Sequence, residues 1–325
     1  MAELPVQRTC GTYDVHMLMM QTDPEYAAAR AAIEAQTDDF VRSGRLAERI
    51  RRVGTTVIPV VVHVIYRDAK ENISDAQIAS QIDVLNRDFR MNNNDIDKTP
   101  DPFKPFRGDA RIAFVLTGVD PKGNPTRGIT RTQTTVPKFF SDDKMKSKAT
   151  GGADAWDSTR YLNFWVCPEI IRKKDNLPLL GYAQFPGVPA VATDGVAIIH
   201  NAFGTVGTAS TGRFNLGRTA THEVGHWLNL IHIWGDKNGC TGDDQVADTP
   251  SQEEANYNTP IFPHFTCNNG PNGDMFMNYM DYVDDAAMFM FTAGQVARMQ
   301  ATLDGPRSTI GSLAVARADS DLTDA

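Results

Sequence analysis

Apolar side chains run almost unbroken from Val57 to Ile65, interrupted only by Pro59 and His63. The run is short and mostly β-branched, which predicts a buried strand. It falls well short of the roughly 20 apolar residues a spanning helix needs. Ser74-Asp75-Ala76-Gln77 then reads as a capping-box helix start, and Ile78, Ile82, Leu85 and Phe89 follow on one helical face. Further strands are expected at Arg111–Leu116, Leu162–Val166, 178–187 and Gly195–Ile199. A second helix should begin near Asn215, and a final one should occupy Ala293–Leu303. Between them, after Asp236, the chain turns irregular and rich in Asp, Asn, Gly and Pro. No internal repeat is visible.

Residues 1–52 have a different texture. Asp23 before Pro24 is a helix start with proline at the first helical position. Tyr26, Ile33, Phe40 and Val41 follow at roughly helical spacing, with Gly44 as an interruption. The stretch ends on the basic junction Arg49-Ile50-Arg51-Arg52, which as an exposed segment is a place for a protease to nick.

Composition sets the outer limits. With 325 residues, 41% hydrophobic and 22% charged, the chain is an ordinary globular protein of one large or two smaller domains. Its 32 basic residues against 40 acidic ones argue against a general nucleic-acid binder and make cationic partners the better fit. No membrane span is seen, and Met1-Ala2-Glu3-Leu4-Pro5 lacks the features of a signal peptide. Either the protein stays inside, or the sequence begins after a removed leader. Four cysteines are too few for a disulfide scaffold. Cys240 and Cys267 flank a loop-rich stretch and could pair, Cys167 sits in an apolar run as a buried thiol, and Cys10 stands alone.

The chemistry concentrates in Thr221-His222-Glu223-Val224-Gly225-His226-Trp227-Leu228-Asn229-Leu230-Ile231-His232. His222 and His226 are four apart and project from one helical face, an arrangement that holds Zn²⁺. Glu223, offset by one residue, is free to take a proton from a water whose pKa zinc lowers to about 7. His232 reaches the same ion only if the helix breaks first, and Asn229 tolerates the left-handed backbone that such a break requires. Three histidines leave a position open, as catalytic sites do.

This stretch resembles the metzincin zinc peptidases, with Asn229 where their extended motif has Gly. Met277-Asn278-Tyr279-Met280-Asp281-Tyr282 looks like their Met-turn. Trp234-Gly235-Asp236, Asp248-Thr249-Pro250 and Phe291-Thr292-Ala293-Gly294-Gln295 point to the pappalysin family, over about residues 55–305. The resemblance implies an α/β fold of the α+β zincin type. It has a twisted mixed sheet and two long helices above a cleft, and an irregular lower subdomain with one C-terminal helix. The division expected is a latency prosegment, 1–52, and a catalytic domain, 53–325, whose upper part ends near 232.

By resemblance Met280 supports the zinc site, Tyr282 stabilises the oxyanion, and Asp285 selects Arg or Lys after the scissile bond, with Asp284 the competing acid. Asp244 and Thr249 are the calcium candidates, and a Cys240–Cys267 bridge braces the same loops. In Arg8-Thr9-Cys10-Gly11 the thiolate can close zinc's fourth position as a cysteine switch, released by cutting near Arg49, Arg51 or Arg52. Substrate is expected along the edge Leu180-Gly181-Tyr182-Ala183. The resemblance also implies a secreted zinc endopeptidase acting on proteins or peptides. A non-catalytic zinc protein and a zinc hydrolase of small amides are the rival readings, and no oligomeric state is indicated.

Overall fold

The computed structural model describes residues 4–187 and 191–310. The stretch 311–325, assigned above to the lower part of the catalytic domain, lies outside the described residues, as does the very start of the expected prosegment, 1–3.

The apolar run becomes β1 (Thr56–Tyr66), the spine of a mixed sheet. β2 (Ile112–Leu116) and β3 (Ile129–Gln133) pair with its first and second halves, both parallel. Two short strands follow in the chain, β4 (Phe139–Phe140) and then, after β5 (Leu162–Cys167), β6 (Ile170–Ile171); with β7 (Pro178–Leu179) they make a small separate sheet. β5 lies on the other side of β1, followed outward by β9 (Val196–Ile199) and the edge strand β8 (Gly181–Ala183). β8 is antiparallel to β9, while every other pairing in this sheet is parallel. All six residues of β5 are buried. Strands covered on both faces read as continuous apolar runs, which is why the sequence located them.

Three helices precede the sheet: α1 (Thr12–Thr22), α2 (Pro24–Arg42) and α3 (Leu46–Val53). The Asp23 carboxylate caps α2 by accepting from the N–H groups of Glu25 and Tyr26. Gly44, with φ +68°, sits between α2 and α3. The basic junction is therefore the helix α3, not an open segment. Arg49 is buried against Gln300 and Asp304, while Arg51 and Arg52 stay exposed.

α4 (Asp75–Asp88) starts at Ser74, whose hydroxyl accepts from the Gln77 N–H. The reciprocal half of the expected capping box is missing. The Gln77 amide instead donates to the carbonyls of His200 and Phe203. α5 (Arg218–Trp227) carries the chemistry and begins three residues after the expected Asn215. β10 (Tyr257–Asn258) and β11 (Tyr282–Val283) pair within the irregular part. α6 (Ala293–Asp304) closes it, with a full capping box between Thr292 and Gln295. Asp248 ties down its first turn by accepting from the Thr292 hydroxyl and the Gly294 N–H. The Cys240–Cys267 disulfide clamps the same region.

The end of α5 decides where His232 goes. Asn229 has φ +74°, its N–H donates to the His226 carbonyl at 2.9 Å, and the Leu230 N–H donates to the Gly225 carbonyl at 2.9 Å. That pair of bonds is a Schellman motif, with Asn in the left-handed position that usually takes Gly. The chain reverses there and brings His232 back under the helix. Asn229→Gly should leave the melting temperature nearly unchanged. Asn229→Val forces a β-branched residue into the left-handed region and should cost about 1–2 kcal/mol, lowering it by several degrees. Thermal unfolding of the two variants checks this, and equal melting temperatures would contradict the role given to the turn.

Candidate active site

His222 and His226 project from α5 and His232 from the returning chain, and all three are buried. Each ring is held by its outer nitrogen. His222 Nδ1 lies 2.7 Å from the Tyr279 carbonyl, His226 Nδ1 2.7 Å from the Leu230 carbonyl, and His232 Nδ1 2.5 Å from Asp236 Oδ1. These partners are acceptors, so each Nδ1 carries the proton and each Nε2 presents a lone pair. His226 Nε2 stands 3.2 Å from His222 Nε2 and 3.0 Å from His232 Nε2. Lone pairs converging this closely repel unless a cation sits among them. Burial, followed by the neighbouring imidazoles, holds His222 and His226 well below the usual histidine range. Tetrahedral zinc with bonds of about 2.0–2.1 Å needs nitrogen separations of about 3.3 Å, and the two distances from His226 are close to that.

Cys10 joins the cluster. Its Sγ and the three imidazoles offer ligand atoms all within 4.8 Å of one another. Three nitrogens and a sulfur are a zinc donor set. Burial and the Glu223 carboxylate push the Cys10 thiol well above its ordinary value, a situation a nearby dication reverses. Glu223 is also buried, and desolvation raises it to about 7. Its Oε2 accepts from the Cys10 thiol at 3.3 Å and from the Thr12 hydroxyl at 2.9 Å.

The N-terminal segment lies along β8. The Leu180 N–H donates to the Thr9 carbonyl, the Gly11 N–H to the Gly181 carbonyl, and the Ala183 N–H to the Thr12 hydroxyl. Cys10 pairs with Gly181 in the parallel sense. Glycine at 11 eases the approach, since a Cβ there would meet Leu179 Cδ1 at 2.7 Å and Tyr182 Cβ at 3.2 Å. The edge expected from Leu180 to Ala183 is thus an edge, and this segment covers it.

Two residues before the thiol, Arg8 runs into a buried slot. Its guanidinium meets Asp285 Oδ1 at 2.5 Å, donates to the Val283 carbonyl and the Thr219 hydroxyl, and lies over the Phe214 ring. The other Asp285 oxygen accepts from the N–H groups of Leu216 and Arg218. Asp284, the competing acid, turns away to Arg213 at 3.6 Å.

Met280 packs under α5 where Gly225 leaves room, a Cβ there lying only 2.5 Å from its sulfur. The Tyr282 ring stands 4.8 Å from that of His232 and 5.7 Å from that of His222, and burial pushes its hydroxyl up. Asp244 and Thr249 meet as well. The Thr249 hydroxyl donates to the Asp244 carboxylate, which burial raises to about 7. Cys167 is a buried free thiol remote from this chemistry.

The sequence reading gave no role to Arg8, Thr12 or Asp236. Arg8 did carry a signal, a cation two residues from Cys10 beside a pocket expected to want one. Asp236 entered only as part of the Trp234-Gly235-Asp236 family motif, and Thr12 carried no signal without the fold.

The family model described as pregnancy-associated plasma protein-A, peptidase M43, matches residues 145–304. An extracellular metalloprotease of Pyricularia oryzae is 33% identical over 282 residues, covering 85% of this chain and 82% of the relative. One from Verticillium alfalfae is 32% identical over 307 residues, covering 91% and 89%. Mature mirolysin of Tannerella forsythia, solved with a cleaved peptide, superposes with a TM-score of 0.74 at 49% identity, over 80% of this chain and 97% of that one. A promirolysin mutant from the same organism gives 0.81 at 44% identity, over 94% and 98%. The zincin-type sheet and helices, the converging histidines with Glu223 among them, and these likenesses agree: the chain belongs to the peptidase M43, or pappalysin, family of zinc metallopeptidases.

Proposed function

We propose that the chain is a latent zinc endopeptidase that cuts peptides before Arg or Lys. One observation carries the specificity. Arg8 fills the Asp285 slot while Cys10, two residues on, reaches the histidines. The segment runs parallel to β8. A substrate adding to the same edge antiparallel would fill the slot from the opposite direction, with the residue that follows the scissile bond. A parallel substrate would fill it with a residue before that bond. Chain polarity therefore converts directly into which product end carries the basic residue.

In this reading His222, His226 and His232 hold zinc, with Cys10 as fourth ligand in the latent form. A bound zinc supplies electrophilic activation of water and of the scissile carbonyl. Glu223 takes the water's proton and passes it to the leaving amine. Glu223 follows His222 on α5, which places its carboxylate beside the histidines for both transfers. Tyr282 donates to the oxygen on which negative charge builds. Met280 supports the histidines from below. Asp285 binds the basic side chain from a buried position where water does not compete.

The prosegment is residues 1–52, and removing it uncovers Glu223 and the edge strand together. The match to a proenzyme over more of the chain than to the mature form supports this. Exposure of Arg51 and Arg52, against the burial of Arg49, favours cutting near the exposed pair. Calcium at Asp244 and Thr249 would offset the cost of the buried Asp244 carboxylate. The naming of the fungal relatives as extracellular supports action outside the cell, where the Cys240–Cys267 bridge persists.

Mass spectrometry of products from a denatured protein substrate tests the reading. New N-termini beginning with Arg or Lys are expected; products ending in Arg or Lys would overturn the antiparallel docking. Glu223→Ala should lower the rate by about 10²–10⁴-fold, and a strong chelator should abolish activity that zinc then restores. Asp285→Asn should lower kcat/KM for substrates with a basic residue there by about 10²-fold, as expected for losing one partner of a buried charge pair. Cys10→Ala should mature faster than the unaltered chain, followed on gels over time. An unchanged maturation rate would remove the thiol from the latency mechanism.

A further inference from the structure

The three zinc-site histidines are not held alike. Backbone carbonyls hold His222 and His226, but a carboxylate holds His232. Asp236 reaches that ring through an unusual piece of backbone. Gly235 has φ +68° and Asp236 φ +54°, so two successive residues are left-handed, and the Gly235 N–H donates to the His232 carbonyl at 2.8 Å. An Asp in that region is uncommon and persists where surrounding contacts enforce it. The chain folds back within four residues, and Asp236 Oδ1 ends 2.5 Å from Nδ1. Trp234 stacks on the other side of the same ring at 4.4 Å, nearly parallel.

The Asp236 side chain is buried, and its second oxygen hydrogen-bonds no protein group among the described residues. An acid kept only to brace a loop would use both oxygens on backbone or side-chain donors, as Asp281 does with Gln252, Asn256 and the Tyr282 N–H. Among the described residues the Asp236 carboxylate hydrogen-bonds His232, while its charge is also felt by Tyr13, His16 and Tyr282.

We propose that Asp236 is a positioning residue for the metal centre, fixing His232 in the tautomer that offers Nε2 to the ion and making that ring the most strongly donating of the three. The inference rests on the reading of the histidines as zinc ligands. A carboxylate polarises the Nδ1–H bond more than a neutral carbonyl does, so electron density moves toward Nε2. The ring gains basicity as a ligand and loses its freedom to flip. His226 has its Nδ1 partner built into the helix-ending turn, and His222 has its own in the Met-turn. His232, the last ligand and the one on irregular chain, is the one that needs a partner carried by a side chain.

The test uses the full chain, with Cys10 in place, as wild type, Asp236→Asn and Asp236→Ala. Zinc dissociation constants are measured by competition with a chromophoric chelator at fixed pH, beside the melting temperature of each metal-free protein. Asn keeps the shape and an acceptor oxygen but not the charge, and should weaken zinc binding about 10-fold; Ala loses both and should weaken it about 100-fold. The metal-free melting temperatures should stay within a few degrees of wild type. Variants that hold zinc as tightly as wild type would overturn the assignment, even if their metal-free forms melt earlier, because that pattern marks a loop brace. Should Asp236→Ala fail to fold, the isosteric Asn variant decides alone. A wild-type chain that takes up no zinc would overturn the metal reading itself, whereas equal affinities across the set overturn only this inference.

Discussion

Everything around the cleft follows from three imidazole lone pairs converging in a buried site, with that of His226 within about a hydrogen bond's length of the other two. His226 Nε2 stands 3.0 and 3.2 Å from its two counterparts, and no imidazole can relieve the conflict by turning, because each Nδ1 is committed to an acceptor. Such an arrangement is costly when empty and favourable around a dication. The acceptors that impose it come from separate parts of the chain: the Met-turn, the end of α5 and the turn at Asp236. Metal binding therefore draws the upper sheet-and-helix part and the irregular lower part onto one point.

The same logic explains how the N-terminal segment is held. No single contact is large, but the segment satisfies three needs of the cleft at once. It supplies hydrogen bonds to the open edge of β8, a cation to the buried Asp285, and a thiol to the histidine cluster with Thr12 on Glu223. Each of these groups would otherwise be an unpaired edge, an unpaired charge or a ligand-poor ion, and each is also something a substrate must engage. Under the proposed function, latency and recognition would use one set of groups in opposite chain directions.

How much of this was legible in the sequence depends on distance along the chain. His222, Glu223 and His226 share one helix, so their spacing alone gave the site, and Asn229 marked the break because few residues accept a left-handed backbone. The buried strands were visible because sheets covered on both faces leave continuous apolar runs. α1 was not visible, since only Thr12 and Val15 of it are buried and no apolar stripe forms. Arg8 and Asp285 lie 277 residues apart, and nothing local reports that they meet. The helical state of the Arg49–Arg52 junction was hidden by its charge, because the contact that orders it is made by Arg49 with Gln300 and Asp304 on α6.

The central claim is that the full-length chain holds zinc with three histidines and the Cys10 thiolate together. X-ray absorption at the zinc edge of the full-length protein tests it most directly. The account predicts one sulfur at about 2.3 Å and three nitrogens at about 2.0–2.1 Å. A shell of nitrogen and oxygen alone, with Cys10 open to alkylation in the native protein, would contradict it.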